Sequence, residues 1–444
     1  MCWSTFTLGD IFARLSRKRG LRWLALYHDP ASVVTAVNMR SLNSLVTDSA
    51  AASSSWGSGS RVINGTLNVL PDGRKLRPLA ALFGDAGWRR GLVTTTEITH
   101  ATPAGFAVSV ESRGSAEEIA RQYLDRRVEI LLGGGMKYFS GAQRSDKWDL
   151  YGAYRSAGYT VCRKAAELED APLDRPVLGT FAEGHLPFSL DRDHDPELRR
   201  TVPSLAGMTR RALRQLAPAD HFLLQVEGGR VDHACHANDI AAAVHDLVAF
   251  DEAVEVVLEF QRRVPETLVV ITTDHGTGGP ALNGMGAKYG ESSPLFAHLP
   301  KARCSFEALL PRLPKEPSAV SLDRLLREAT GYEAPEAKLR QLADFLAGKW
   351  TPLFEGLNGR GQQFGAFLAN YYGVSWTSGA HTADYVPLLA TGPGAERFRG
   401  WQQNTDIFRH YTDLAGIDFR NPQTPLLAEC GPAADEVEPE AWPV

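Results

Sequence analysis

One serine, one arginine and a scattered set of acids, histidines and a threonine stand at spacings that could do chemistry. Ser49, in Val46-Thr47-Asp48-Ser49-Ala50-Ala51-Ala52-Ser53, lies where an apolar run meets a run of small residues. Leu45 and Val46 read as the end of a buried strand, and Ala50 to Ser55 as the start of a helix. A hydroxyl there would sit among helix N–H groups that have no partner inside the helix, a setting that suits a phosphate. The same pattern also describes a plain helix cap by Asp48 or Ser49, the more ordinary reading of the segment taken alone. Partners elsewhere in the chain decide between the two.

The run Glu227-Gly228-Gly229-Arg230-Val231-Asp232-His233-Ala234-Cys235-His236 places acids and histidines just after an apolar stretch. An Asp and a His four apart, as Asp232 and His236 are, can bind one cation from a single helical turn or tight loop. An acid-bearing helix start is an equally good account of this segment by itself. Thr272-Thr273-Asp274-His275-Gly276 sets oxygen and imidazole groups side by side at a strand end, with glycine permitting a turn. Ser378-Gly379-Ala380-His381-Thr382 supplies a further histidine that alone would pass for a loop residue. His100-Ala101-Thr102-Pro103 followed by Arg113 adds a hydroxyl suited to a hard cation and a guanidinium suited to two phosphate oxygens.

Alternating strands and helices must position these groups. Residues 4 to 17 have helical apolar spacing, and Leu21 to Tyr27 reads as a strand or buried connector. Thr66 to Leu70 and Arg90 to Thr96 read as strands, the second delivering His100 and Thr102. Ser115 to Tyr123 starts a helix that leads to the strand Val128 to Leu132. A helix over Ser204 to Leu216, the strand Phe222 to Val226, a helix from about Ala237 to Arg263 and the strand Thr267 to Thr273 repeat the pattern. This alternation predicts an α/β sandwich, and in open α/β sheets binding groups collect at the carboxyl ends of strands. Residues 281 to 372 lose the strand signal and read as an inserted helical subdomain; Val386 to Ala390 then gives a strand and Thr405 to Gly416 a helix. The domain expected over 1–280 and 373–417 is followed by a tail, 418–444, partly disordered.

The composition is that of an ordinary globular chain: of 444 residues, 43% are hydrophobic and 22% charged, and 47 Lys+Arg against 52 Asp+Glu leave a formal charge of -5. No basic stripe points to nucleic acid, so Arg14 to Arg22 and Arg199, Arg200, Arg210 and Arg211 read as solvated helix faces. Five scattered cysteines define neither a disulfide framework nor a cysteine zinc site, and Cys235 reads as a small packed residue. No stretch is long and apolar enough for a membrane span, and basic residues break up the first segment, so no export signal is visible.

Together, Asp48-Ser49-Ala50-Ala51, His100-Ala101-Thr102-Pro103 with Arg113, Glu227 to His236, Thr273-Asp274-His275-Gly276 and Gly379-Ala380-His381-Thr382 resemble the alkaline phosphatase family. The likeness runs from Met1 to about Ile417, apart from 281–372. It implies a three-layer sandwich with a central, mostly parallel sheet, helices on both faces and a helical insertion. It implies hydrolysis of phosphate monoesters through a phosphoserine on Ser49, and a cofactor set of two Zn2+ and one Mg2+. By that resemblance Asp232, His236 and His381 hold one zinc, Asp274 and His275 the other, and Thr102 and Glu227 the magnesium. Arg113 clamps the phosphate, with Asp48, His100 and His233 in support; His100 and His233 stand where some members have Asp and Lys. Two metals about 4 Å apart suit in-line displacement at phosphorus. The resemblance further implies a periplasmic or secreted full-length protein and a possible homodimer, with small phosphate monoesters as partners and no nucleic acid.

Family members begin the domain with an apolar strand ending in Asp-Gly-Met, whose aspartate bridges two metals. Met1 aligns with that methionine, so the sequence is expected to lack this strand and acid, and Asp10 and Asp29 are weak substitutes. The competing expectations are an impaired phosphate- or metal-binding remnant, motivated by that missing acid, and a related phosphodiesterase or sulfatase on the same scaffold.

Overall fold

The computed structural model describes residues 1–284 and 289–427. Runs rich in Val, Leu and Ile form short strands, buried on both faces over Ile130–Gly134 and Val177–Thr180 and half-buried over Phe222–Glu227. The first six are β1 Val33–Asn38, β2 Arg89–Glu97, β3 Ile130–Gly134, β4 Thr160–Cys162, β5 Val177–Thr180 and β6 Phe222–Glu227. Five of them make a wholly parallel central sheet in the order β4-β5-β3-β2-β6. The later strands are β7 Val269–Ile271, β8 Gly276–Thr277, β9 Ala281–Leu282, β10 Val374–Ser375, β11 His381–Thr382, β12 Val386–Thr391 and β13 Gln402–Gln403. A second sheet has the order β13-β1-β12-β7, with β12 antiparallel to both β1 and β7. β6 and β7 each end their sheet, and both line one cavity of about 200 Å³ that opens toward Ser49 and Asp274.

The period-two alternation of strand side chains divides the core into two layers. Leu92, Leu131, Leu178 and Leu388 point to one face, under the helices Ser49–Ser58, Ala101–Ala107, Ala116–Asp125 and Asn404–Leu414. Val93, Ile130, Leu132 and Val177 point to the other, covered by the helix Leu205–Leu216, while Ile271 and Leu389 meet the helices Trp3–Arg17 and Ile240–Arg263. The expected α/β sandwich with a mostly parallel central sheet is therefore present. Within the first layer, the helices Ser49–Ser58 and Ala101–Ala107 touch backbone to backbone. A Cβ at Gly57 would lie 2.2 Å from the Gly105 carbonyl oxygen, so both positions require glycine.

Several sequence expectations need correction. Leu45 and Val46 end no strand; they are exposed in a loop, and the strand that precedes Ser49 is β1, eleven residues before the serine at its nearest end. Thr66 to Leu70 forms only two isolated bridges, because Asn68 between them is left-handed at φ 52°. The helix expected from Ala237 begins at Ile240 instead. Asn238 at φ 54° separates it from a short helix, Arg230–His236, and Asp239 caps the new start by accepting from Ala242 N at 3.0 Å. Arg211 is not a solvated residue: it is buried and donates to the carbonyls of Leu168, Ala171 and Pro172. Leu21 to Tyr27 is a connector, a 3-10 helix over Arg22–His28.

The region 289–372 is helical, with Phe306–Leu309, Ala319–Thr330, Glu336–Leu346 and Arg360–Tyr372 among its helices. Leu299, Phe306 and Leu322 share a core with Ile240 and Val244 of the main body. Of the expected tail, residues 418–427 are tied down rather than loose: Asn421 donates to Ser58 O and Arg77 O, and Leu427 N to Leu42 O. Residues 428–444, including Cys430, lie outside the described residues. No described helix is long and apolar enough to cross a membrane.

Candidate active site

Ser49, His100 and Thr102 lie at helix starts and Glu227 at a strand end, whereas Arg113 lies in a turn, His236 ends its helix and His381 opens a two-residue strand. Ser49 is the first residue of its helix, and Asp48 is the N-cap, accepting from Ala51 N at 2.9 Å. The cap is thus Asp48, and the candidate nucleophile Ser49 is the residue after it. Ser49 is buried, and its Oγ lies 3.0 Å from His275 Nε2. Asp274 Oδ2 lies 3.0 Å from the same nitrogen. On the other side of the ring, Thr277 Oγ1 gives its one proton to Asp232 Oδ1 at 2.5 Å, so it accepts from His275 Nδ1 at 3.2 Å.

His236, His381 and Asp232 form a group of potential metal ligands. His236 Nδ1 donates to Gly379 O at 2.7 Å and His381 Nδ1 to Thr47 O at 2.8 Å, since a carbonyl only accepts. Both Nε2 atoms therefore present lone pairs, and they meet at 2.9 Å, with Asp232 Oδ2 3.4 Å from His236 Nε2. Two facing lone pairs beside a carboxylate repel each other without a cation between them, and imidazole with carboxylate is a donor set that zinc accepts. Burial and the neighbouring His275 push the His381 pKa down to about 4, which keeps that lone pair free at neutral pH. Burial works to raise the pKa of Asp232, but the imidazoles of His275 and His236 hold it below the carboxylate range. Asp274 is likewise held low, by His275, against its burial.

Glu227, at the end of β6, is half-buried, and withdrawal of its carboxyl from water pushes its pKa up to about 7. Thr94 Oγ1 donates to its Oε2 at 2.5 Å, and Thr102 also hydrogen-bonds to it. Arg113 Nη1 donates to Asp48 Oδ2 at 2.9 Å and Nη2 to His100 Nε2 at 3.1 Å, so the guanidinium is held from two sides. His100, His233 and His185 pack as three imidazoles, with ring centroids 5.4 Å apart for His100 and His233 and 4.3 Å for His185 and His233. Met1 lies beside the site, with its N donating to Thr273 Oγ1 at 2.9 Å. Asp10 and Asp29 lie outside it, engaged with Leu21 N and Ala31 N respectively.

All twelve expected residues fall within this linked set of clusters. Sequence reasoning missed His185, Thr277 and Glu307. Their only signal is polarity: His185 and Glu307 reach the site from a loop and a helix far away in sequence, and Thr277 stands in β8, two residues beyond His275. Arg230 stood inside a segment already singled out, but its partner Glu307 could not be guessed.

A serine at a helix start, aimed into carboxylates and imidazoles at strand ends, places this α/β sandwich among the hydrolases of the phosphatase class. The alkaline phosphatase family model matches residues 21–335. Alkaline phosphatase 4 of Bacillus subtilis is 32% identical over 81% of this chain and 75% of its own length. The crystal structure of Thermus thermophilus alkaline phosphatase superposes with a TM-score of 0.87 at 36% identity, covering 96% of this chain and 91% of that one. A cold-active alkaline phosphatase from a psychrophilic Shewanella gives 0.78 at 27% identity, covering 94% and 97%. The chain belongs to the alkaline phosphatase family.

Proposed function

We propose that the chain hydrolyses phosphate monoesters through a phosphoserine on Ser49. The observation that carries this reading is the placement of Ser49 Oγ, 3.0 Å from His275 Nε2 at a helix N-terminus, beside the facing His236 and His381 lone pairs. Ser49 Oγ gives up its proton as it bonds to phosphorus, and the ester oxygen leaves with the electron pair of the broken P–O bond and takes up a proton; water then bonds to phosphorus as the Oγ–P bond breaks, and its proton returns to Ser49 Oγ. Arg113, aimed by Asp48 and His100, grips two nonbridging oxygens. Such a grip favours a single ester over a diester, and together with the Glu227 to His236 segment it supports the phosphomonoesterase reading over a phosphodiesterase or sulfatase. His233 supports His100 from its far side.

Asp232, His236 and His381 would hold one zinc and Asp274 with His275 a second, while Thr102 and Glu227 would hold magnesium. When bound, such ions lower the pKa of coordinated hydroxyls and screen phosphoryl charge. On this reading residues 1–280 and 373–417 are the catalytic domain and 281–372 an inserted helical subdomain. A periplasmic or secreted location and a homodimer accord with family membership.

The test incubates the chain with Zn2+ and Mg2+ and compares p-nitrophenyl phosphate, its bis-ester and its sulfate. Acid quenching with a labelled phosphate donor traps label on Ser49. Monoester turnover that disappears in Ser49→Ala is expected. Equal turnover in that variant defeats the assignment, and phosphate binding without turnover identifies a phosphate-binding chain instead.

A further inference from the structure

A line of polar contacts runs from the site into the helical region. Arg230, at the start of the helix Arg230–His236, is only 2% exposed. Its guanidinium carbon lies 3.7 Å from the centre of the Phe188 ring. Nη2 donates to Glu307 Oε2 at 2.7 Å, and Nη1 donates to His233 Nδ1 at 2.8 Å. A guanidinium has no lone pair to offer and does not deprotonate in proteins. His233 Nδ1 is therefore the accepting nitrogen, and the ring proton of the neutral imidazole sits on Nε2.

The same logic fixes the two neighbouring rings. Arg113 donates to His100 Nε2, which leaves the His100 proton on Nδ1. The backbone N–H of Glu97 donates to His185 Nδ1 at 3.0 Å, which leaves that proton on Nε2. Each of the three packed imidazoles is thus set by a donor that cannot exchange roles with it. Glu307 comes from the helix Phe306–Leu309, docked on the main body where Phe306 N donates to Asp239 Oδ2 and Ser305 Oγ to Asp191 Oδ2, both at 2.6 Å. A buried arginine needs such a counter-charge, and none of the residues assigned to the reaction supplies it.

We propose that Arg230, anchored by Glu307, is a positioning residue. It fixes the orientation and Nε2–H tautomer of His233, and through the packed His233 and His100 rings it holds Arg113 in place for phosphate. The meaning given to Arg113 rests on the proposed function; the tautomer does not. The helical region thereby contributes a residue that tunes phosphate affinity without touching the phosphate.

The test uses the full chain with its histidines labelled with 15N, and inorganic phosphate as the probe. His233→Gln assigns the resonance. The wild-type ring should show its proton on Nε2, Arg230→Met should lose that single tautomer, and Arg230→Lys, which still donates, should largely restore it. Phosphate affinity should fall about tenfold in Arg230→Met, as for other groups that orient a ligand's partners. It should fall about threefold in Glu307→Gln, where the lost partner is 61% exposed. The KM for p-nitrophenyl phosphate should rise in parallel while kcat moves less. A wild-type proton on Nδ1, or unchanged phosphate affinity in a folded Arg230→Met, overturns the proposal. If that variant does not fold, Glu307→Gln decides alone. If the chain turns over no ester, the tautomer and the phosphate titration still decide for or against the positioning role.

Discussion

Asp48→Asn separates two duties that one carboxylate performs. Asp48 takes three N–H donors: Ala51 N on Oδ1 at 2.9 Å, Gly65 N on Oδ2 at 3.1 Å and Arg113 Nη1 on Oδ2 at 2.9 Å. Asparagine can keep the cap to Ala51, but its NH2 then faces the other two donors, so two of the three bonds are lost. A neutral bond contributes about 1 kcal/mol net, and the ion pair to Arg113, whose side chain is 31% exposed, no more than about 1 kcal/mol after screening. The stability loss should be about 2 kcal/mol, with Asp48→Ala losing about 1 kcal/mol further because the cap goes too. Arg113 keeps only His100, so its fork loosens. The KM for a phosphate monoester and the inhibition constant of inorganic phosphate should both rise about tenfold, equivalent to about 1.4 kcal/mol of grip, without a matching fall in kcat. Denaturation and steady-state kinetics on the same preparation read both effects. The loss of stability with an unchanged or lowered KM would show that Asp48 is a cap and nothing more, and would refute the role given to its bond with Arg113.

Gly57→Ala places a methyl group against the Gly105 carbonyl, a backbone atom that cannot swing aside, so the melting temperature should drop by the equivalent of about 1–3 kcal/mol and turnover should fall as Ser49 shifts relative to Thr102. His381→Ala removes one of the two facing imidazoles; elemental analysis after dialysis should find one fewer zinc per chain than in wild type, and an equal zinc content would sink the ligand assignment. Asp246 is buried, which pushes its pKa from 3.8 up to about 7, and it accepts from Ser189 N at 3.0 Å. Because its folded pKa lies above the unfolded value, the folded state holds the extra proton. Its contribution to stability is full below about pH 4 and is lost as pH rises toward 7. Asp246→Asn should therefore flatten the decline of melting temperature across that window and leave the protein more stable than wild type at pH 8, as read by thermal scans at a series of pH values.

By itself the sequence determined the general architecture and the family, and it supplied a candidate set of site residues. Ser49, Arg113 and the Asp and His candidates were legible only as a joint set of motifs resembling one family, since each segment taken alone reads equally well as a helix cap or a loop. The strands at 89–97 and 222–227 and the helix 205–216 came from local apolar periodicity and caps. What the tertiary structure decided depends on groups that meet across long sequence separations. Nothing local told which imidazole nitrogen carries a proton, because that follows from carbonyls of Gly379 and Thr47 on other loops. The break at Asn238 and the kink at Asn68 are single left-handed residues inside otherwise regular patterns, too small to register in a hydrophobic period. Leu45 and Val46 read as a buried strand because apolar runs do not reveal whether another element will cover them, and here none does. The anchoring of Arg230 by Glu307 joins residues 77 positions apart, and only the packing of the helical region onto the main body brings those two charges together.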